Sequence, residues 1–197
     1  MVKFTVETPD IDYPVNPKNG KKLSTITYYR IDEVIDVTKL ISTKAGLTPV
    51  KYECSDKKGK NFEFNAKDNT LKVLKSGSCK ITVYYNYGLN EKYAAKYPIN
   101  IKSVLPSLKA KVNLKANKST KVSISKVQKG TNVSWIAVGY DEESDEYVVS
   151  DLIKVEEVPG YDGLKCKITA GDKKGKAYLF ALVGEEKDGY LCEVTIK

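Results

Sequence analysis

The sequence predicts an all-β chain of two tandem β-sandwich domains. Three observations lead there. Apolar residues recur with period two along most of the chain, where a helix would need period three to four. The alternating runs are short and bounded by turn clusters rich in Gly, Asn, Asp and Ser. The second half also repeats the first in degenerate form.

In the first half the predicted strands are residues 23–30 (LSTITYYR), 34–41 (VIDVTKLI), 50–54 (VKYEC), 70–74 (TLKVL), 79–85 (CKITVYY) and 97–102 (YPINIK). In the second half they are 111–115 (KVNLK), 121–125 (KVSIS), 133–138 (VSWIAV), 152–158 (LIKVEEV), 164–168 (LKCKI), 177–183 (AYLFALV) and 191–197 (LCEVTIK). The intervening SDKKGKN, AKDN, KSGS, DEESDE and GDKKGK read as turns. Short strands at this spacing build sandwiches or barrels. A strand that closes before Pro106 marks the domain boundary. The expected layout is residues 1–21 as an arm or first strand (KFTVE within it), 22–103 as domain 1 and 104–197 as domain 2.

Each half ends in Ile-Lys, at Ile101-Lys102 and Ile196-Lys197, and each places a glycine before its penultimate strand, Gly77 and Gly175. In the first half Val50-Lys-Tyr52-Glu-Cys54-Ser55-Asp56, Leu71-Lys-Val73 and Gly77-Ser-Cys79-Lys-Ile81-Thr-Val83 follow one another. In the second, Val133-Ser-Trp135 and Gly175-Lys-Ala177-Tyr-Leu179 hold the same places. This arrangement resembles the bacterial Ig-like domains of group 2. The second half departs from the pattern, because no Ser-Ser-Asn follows Trp135 and residues 139–163 form an enlarged hairpin region. The resemblance implies two immunoglobulin-like sandwiches, of the kind found in bacterial surface proteins, adhesins and phage virion proteins. It carries over no catalytic residue.

Composition removes several function classes. Without histidine there is no Ser-His-Asp or Cys-His catalysis and no His-ligated zinc. No Gly-rich phosphate loop joins a strand to a helix, and no constellation forms around the abundant carboxylates and lysines, so no enzyme and no cofactor is expected. No apolar run reaches the length of a membrane span. The net charge is +8, yet Arg30 is the single arginine, which argues against specific nucleic-acid readout. Residues 1–103 hold 18 basic and 11 acidic side chains, a net +7, against 15 and 14 for the remainder. Any attraction to surface glycans or anionic polymers therefore belongs to domain 1.

Strand phase points all four cysteines, Cys54, Cys79, Cys166 and Cys192, toward the predicted core. That placement suits buried disulfides and buried thiols alike, while zinc lacks its closely spaced cysteine pair. Asp141, Glu143 and Asp145 lie in an acidic run that offers oxygen ligands to a cation, though without the glycine of a calcium loop, and it reads foremost as a solvated hairpin tip. Tyr28, Tyr84 and Tyr87 are the tyrosines proposed for binding, since one of each adjacent pair on a strand faces outward. Trp135 is assigned to the core. The N-terminus MVKFTVETPDIDYPV has no apolar signal region. The expectation is a non-catalytic structural or display protein of a phage virion or bacterial cell surface, meeting other virion or surface proteins. A carbohydrate-binding accessory module using exposed tyrosines is the alternative.

Overall fold

The computed structural model describes residues 11–13, 20–23, 25–43, 49–85, 95–141, 145–185 and 188–197. The chain divides into two compact units, Met1–Leu105 and Pro106–Lys197. Among the described residues regular structure is all strand, save one three-residue 3-10 turn at Val37–Lys39.

The first unit holds β1 (Ile11–Asp12), β2 (Thr25–Tyr28), β3 (Val34–Asp36), β4 (Ser42–Thr43), β5 (Pro49–Cys54), β6 (Phe62–Asn65), β7 (Thr70–Val73), β8 (Gly77–Tyr85) and β9 (Ala95–Ser103). One sheet has the order β2-β9-β8-β5 and a second β3-β7-β6, while β1 and β4 pair separately. The short β2 runs parallel to the last strand, β9, and the other pairs are antiparallel. Alternation places Cys79, Ile81, Val83 and Tyr85 of β8 and Ile99 and Ile101 of β9 on the inner face, against Ile35, Phe62, Leu71 and Val73 of the other sheet. Val37, Phe62, Leu71, Val73, Ile81, Val83 and Ile101 are fully buried. The buried Ser103 hydroxyl donates to the Lys75 carbonyl at 2.5 Å, satisfying a polar atom on this inner face.

One local expectation is corrected here, and one strand is added to those expected. Residues 34–41 do not continue as one strand, because the Asp36 carboxylate accepts from both Thr38 N and Thr38 Oγ1 and turns the chain into the 3-10 turn. Within residues 57–69 a strand, β6, stands between the two turn clusters. The Asp56 carboxylate accepts from the backbone of Lys60, Asn61 and Phe62, closing the first turn, and Asn65 Oδ1 accepts from Lys67 N in the second. The KFTVE segment lies outside the described residues.

The second unit holds β10 (Ser107–Leu108), β11 (Lys111–Leu114), β12 (Ser119–Ser125), β13 (Val133–Asp141), β14 (Glu146–Val149), β15 (Ile153–Glu157), β16 (Lys165–Ala170), β17 (Gly175–Val183) and β18 (Asp188–Ile196). The sheets are β10-β12-β16-β15 and β11-β18-β17-β13-β14. Again a short early strand, β11, runs parallel to the last, β18. Both units therefore share one order in the larger sheet, β2-β9-β8-β5 in the first and β11-β18-β17-β13 in the second, packed against β3-β7-β6 and β12-β16-β15. The second unit adds β10 and β14 as edges. Its core takes Cys166, Ile168 and Ala170 from one sheet and Ala177, Leu179, Cys192, Val194 and Ile196 from the other. Trp135 packs beside this core, half-buried, and donates its indole N–H to the Gly163 carbonyl at 2.6 Å.

Candidate functional site

The outward face of β13, β14 and β17 is where the second unit departs from ordinary sandwich chemistry. In β13 the residues pointing away from the core are Ser134, Ile136, Val138 and Tyr140, and in β17 they are Tyr178, Phe180 and Leu182. Register sets them in rows: Ile136 opposite Phe180 opposite Leu191, and Val149 opposite Val138 opposite Tyr178. Tyr147 of β14 stands at the centre, its ring edge-to-face with Tyr140, Tyr178 and Phe180 at centroid distances of 5.5, 5.6 and 5.9 Å. Much of this cluster meets solvent. Val149 is 82% exposed and Tyr147 54%, and Ile136, Tyr140 and Leu191 are exposed as well. Ile136, Leu191, Val149, Tyr140 and Tyr147 thus put exposed apolar and aromatic side chains on one face of the sheet. Toward β11 the same face turns polar, with Lys111 paired to Glu193 at 3.5 Å.

The acidic hairpin tip borders this patch. Asp145 accepts the Tyr140 hydroxyl proton, and that bond holds the Tyr140 phenol above its ordinary pKa. Asp141 ends β13, while Glu143 lies outside the described residues. Among the described residues no group of three or more Cys, Asp or Glu is gathered as a metal would need.

The tyrosines of the first unit do not form a comparable surface. Tyr28 is half-buried against the core, and burial foremost, with Glu33 behind it, raises its phenol pKa. Tyr84 points outward from β8 and donates to Glu53 Oε2 at 2.6 Å, with the ammonium groups of Lys51 and Lys96 5.6 and 5.5 Å from its ring centre. That hydrogen bond raises the Tyr84 pKa and lowers that of Glu53. In register, Tyr28 pairs with Ser103 and so aligns with Gly77, seven residues from Tyr84 along β8. The two are thus not brought together, and Tyr87 lies outside the described residues.

Sequence reasoning passed over Tyr140, Tyr147, Tyr178 and Phe180, although a signal was present. The segments 133–138 and 177–183 are apolar at both phases of the alternation, which means an apolar outer face as well as an apolar inner one. β14 was hidden because it begins at Glu146, inside the acidic run that reads as a turn, and only three residues follow.

All four cysteines are free and buried. Cys54 ends β5 and Cys79 lies on β8, adjacent strands of one sheet. Cys166 and Cys192 come from facing sheets of the second unit. Burial, with Cys192 as the next contribution, pushes the Cys166 thiol up to about 12, and burial also raises that of Cys192.

No protein-family model matches this chain, and no curated protein matches it. Among solved structures the chain is similar to an I-band fragment of titin, at 13% identity over 98% of this chain and 66% of that one, with a TM-score of 0.32. It is similar to domains 4 and 5 of the S-layer protein SbsC, at 11% identity over 74% of this chain and 69% of that one, TM-score 0.30. It is also similar to an endo-fucoidan hydrolase of glycoside hydrolase family 107, at 12% identity over 98% of this chain and 29% of that one, TM-score 0.31. Among the described residues no helix is long and apolar enough to cross a membrane.

Proposed function

We propose that the chain is a non-catalytic structural or display protein of two immunoglobulin-like domains, residues 22–103 and 104–197, that docks to a neighbouring protein on a phage virion or bacterial cell surface. Residues 1–21 act as an arm or first strand. Strand order supports the fold reading. In each unit an early strand, the last, the penultimate and one middle strand (β5 or β13) share a sheet opposite a three- or four-stranded one, as in immunoglobulin sandwiches. The single observation carrying the docking reading is the exposed Tyr147 cluster with Ile136, Val149 and Leu191 around it. Rigid aromatic anchors bordered by aliphatic residues suit a protein surface, where such anchors supply most of the binding energy.

The second reading, a carbohydrate-binding module, is placed on Tyr28, Tyr84 and Tyr87 by the sequence, while the exposed ring cluster is that of Tyr147. Sugar stacking needs an open ring face, whereas Tyr147 meets its three neighbours edge-to-face and is flanked by aliphatic side chains. Surface glycans or anionic polymers at domain 1, drawn by its +7 charge, are a weaker contact of the same class.

A photo-crosslinking residue at Val149, with a second at Lys121 on the outer face of β12 as control, tests the docking reading in native particles or envelopes. A discrete protein adduct from position 149 and none from position 121 is expected. Equal labelling from both positions contradicts it, and Tyr147-dependent binding on a glycan array without a protein adduct transfers the function to the second reading.

A further inference from the structure

The first unit carries a thiol pair whose two members differ in access. Cys54 and Cys79 sit on adjacent antiparallel strands, facing the core side of one sheet. Cys54 is opposite Ile81, so Cys79 is its diagonal neighbour two residues along β8. Ser55 N donates to Lys80 O at 2.9 Å, which makes Cys54 and Ile81 a non-hydrogen-bonded pair, the type in which side chains approach most closely. Both side chains belong to the same buried cluster, on the inner face of this strand pair.

A cavity of about 380 Å³ opens beside this pair, lined by Cys54, Asp56, Lys57, Gly59, Glu63 and Phe64. Its origin is in the topology: β5 is the edge of one sheet and β6 the edge of the other, so the sandwich is open between them. Cys54 and Phe64 come from those two edges, and the turn held by the Asp56 carboxylate forms the rim. Cys54 is 9% exposed and Cys79 6%, whereas Cys166 and Cys192 are at 0%. One chain therefore holds a thiol pair beside an open cavity and a sealed pair that serves as its control.

We propose that Cys54 and Cys79 form a peroxide-reactive dithiol, in which a small hydroperoxide enters the cavity, oxidises Cys54 and leaves a reversible Cys54–Cys79 disulfide. The Cys54 thiolate attacks the distal peroxide oxygen. An S–O bond forms as the O–O bond breaks, and the alcohol or water leaves after taking up a proton. The Cys79 sulfur then attacks the Cys54 sulfur, forming the S–S bond and expelling hydroxide, which leaves as water with the Cys79 proton. Two thiols and one hydroperoxide become one disulfide, one alcohol and one water; both sulfurs are oxidised by one electron and the peroxide is reduced by two.

The electrostatics agree with that order of events. The hydrogen bond from Cys79 lowers the Cys54 pKa, with the backbone N–H of Asp56 helping, while the same contact and burial raise that of Cys79. Diagonal Cα atoms across strands lie about 7–8 Å apart, beyond the usual reach of about 6.8 Å for a relaxed disulfide. Closing the bond draws the end of β5 toward β8, and a strained disulfide of this kind is readily reduced.

The test treats the full-length reduced protein with hydrogen peroxide under native conditions, blocks residual thiols and maps peptides without reduction. A Cys54–Cys79 linked peptide is expected, formed at least about tenfold faster than any oxidation of Cys166 or Cys192, and reversed by millimolar dithiothreitol. In Cys79→Ser a dimedone adduct should accumulate at Cys54, and in Cys54→Ser the reactivity of Cys79 should fall to that of the sealed pair. Oxidation of all four cysteines at one rate, or linkage only after denaturant is added, would overturn the proposal without bearing on the docking face of the other unit.

Discussion

Trp135 and Gly163 hold each other in place: the indole N–H donates to the Gly163 carbonyl at 2.6 Å, and Gly163 takes a positive φ of 73° against the Val133 backbone. A Cβ at position 163 would come 2.3 Å from the Val133 carbonyl oxygen, an atom of β13 that cannot swing aside as a side chain could.

Gly163→Ala should therefore destabilise the protein by about 3 kcal/mol or more, combining left-handed strain with a backbone clash. Trp135→Phe should cost about 1–2 kcal/mol for the lost hydrogen bond and the orphaned carbonyl. The double variant should cost clearly less than the sum, because the displaced loop has already broken the indole bond. Denaturant unfolding followed by circular dichroism checks all three, and in chains that keep the single tryptophan its fluorescence reports the second unit directly.

Asp56 predicts an acid sensitivity. Backbone donation from Asn61, then from Lys60 and Phe62, holds its carboxyl below the usual aspartate value. A group depressed in the folded state stabilises above its unfolded pKa and loses that contribution as pH falls through the folded one. The loss thus belongs below about pH 4. Asp56→Ala should cost about 1–2 kcal/mol at neutral pH, less than three charge-assisted bonds suggest because water shares this surface carboxylate. Unfolding curves of the variant and the parent should converge as pH drops below 4, and parallel curves down to pH 2 would contradict the assignment.

The proposed docking face makes a prediction about stability by its exposure. Val149→Asp replaces a side chain that is largely in solvent, so the unfolding free energy should stay within about 0.5 kcal/mol of the parent's. Leu179→Ala, on the inner face of the same sheet and fully buried, should lose about 2–5 kcal/mol. Thermal melts of the two variants separate an interaction surface from a structural one.

What the sequence revealed follows from which interactions are local. Period-two alternation found β8, β9, β16, β17 and β18 because each buries one full face, and it turned all four cysteines inward correctly. β6 and β14 were illegible because each is four residues long and abuts a turn cluster. The break after Asp36 depends on one side chain choosing the Thr38 backbone, a local bond that the apolar pattern of residues 34–41 conceals. For the site, exposure of tyrosines was anticipated on domain 1, yet the cluster formed where β14 sets Tyr147 against Tyr140, Tyr178 and Phe180. Those contacts join residues up to 33 positions apart in the chain, and no local window contains them.

The most direct test of the docking face is the binding of labelled full-length chain to the particles or cells that carry it, in competition with unlabelled parent, Tyr147→Ala and Val149→Asp. Loss of an aromatic anchor at the centre of an interface costs about 2 kcal/mol or more. Both variants should therefore compete at least about thirtyfold less well than the parent while still unfolding cooperatively, Tyr147→Ala at a lower midpoint because it loses its ring contacts with Tyr140, Tyr178 and Phe180. Competition equal to the parent by both folded variants would contradict the account.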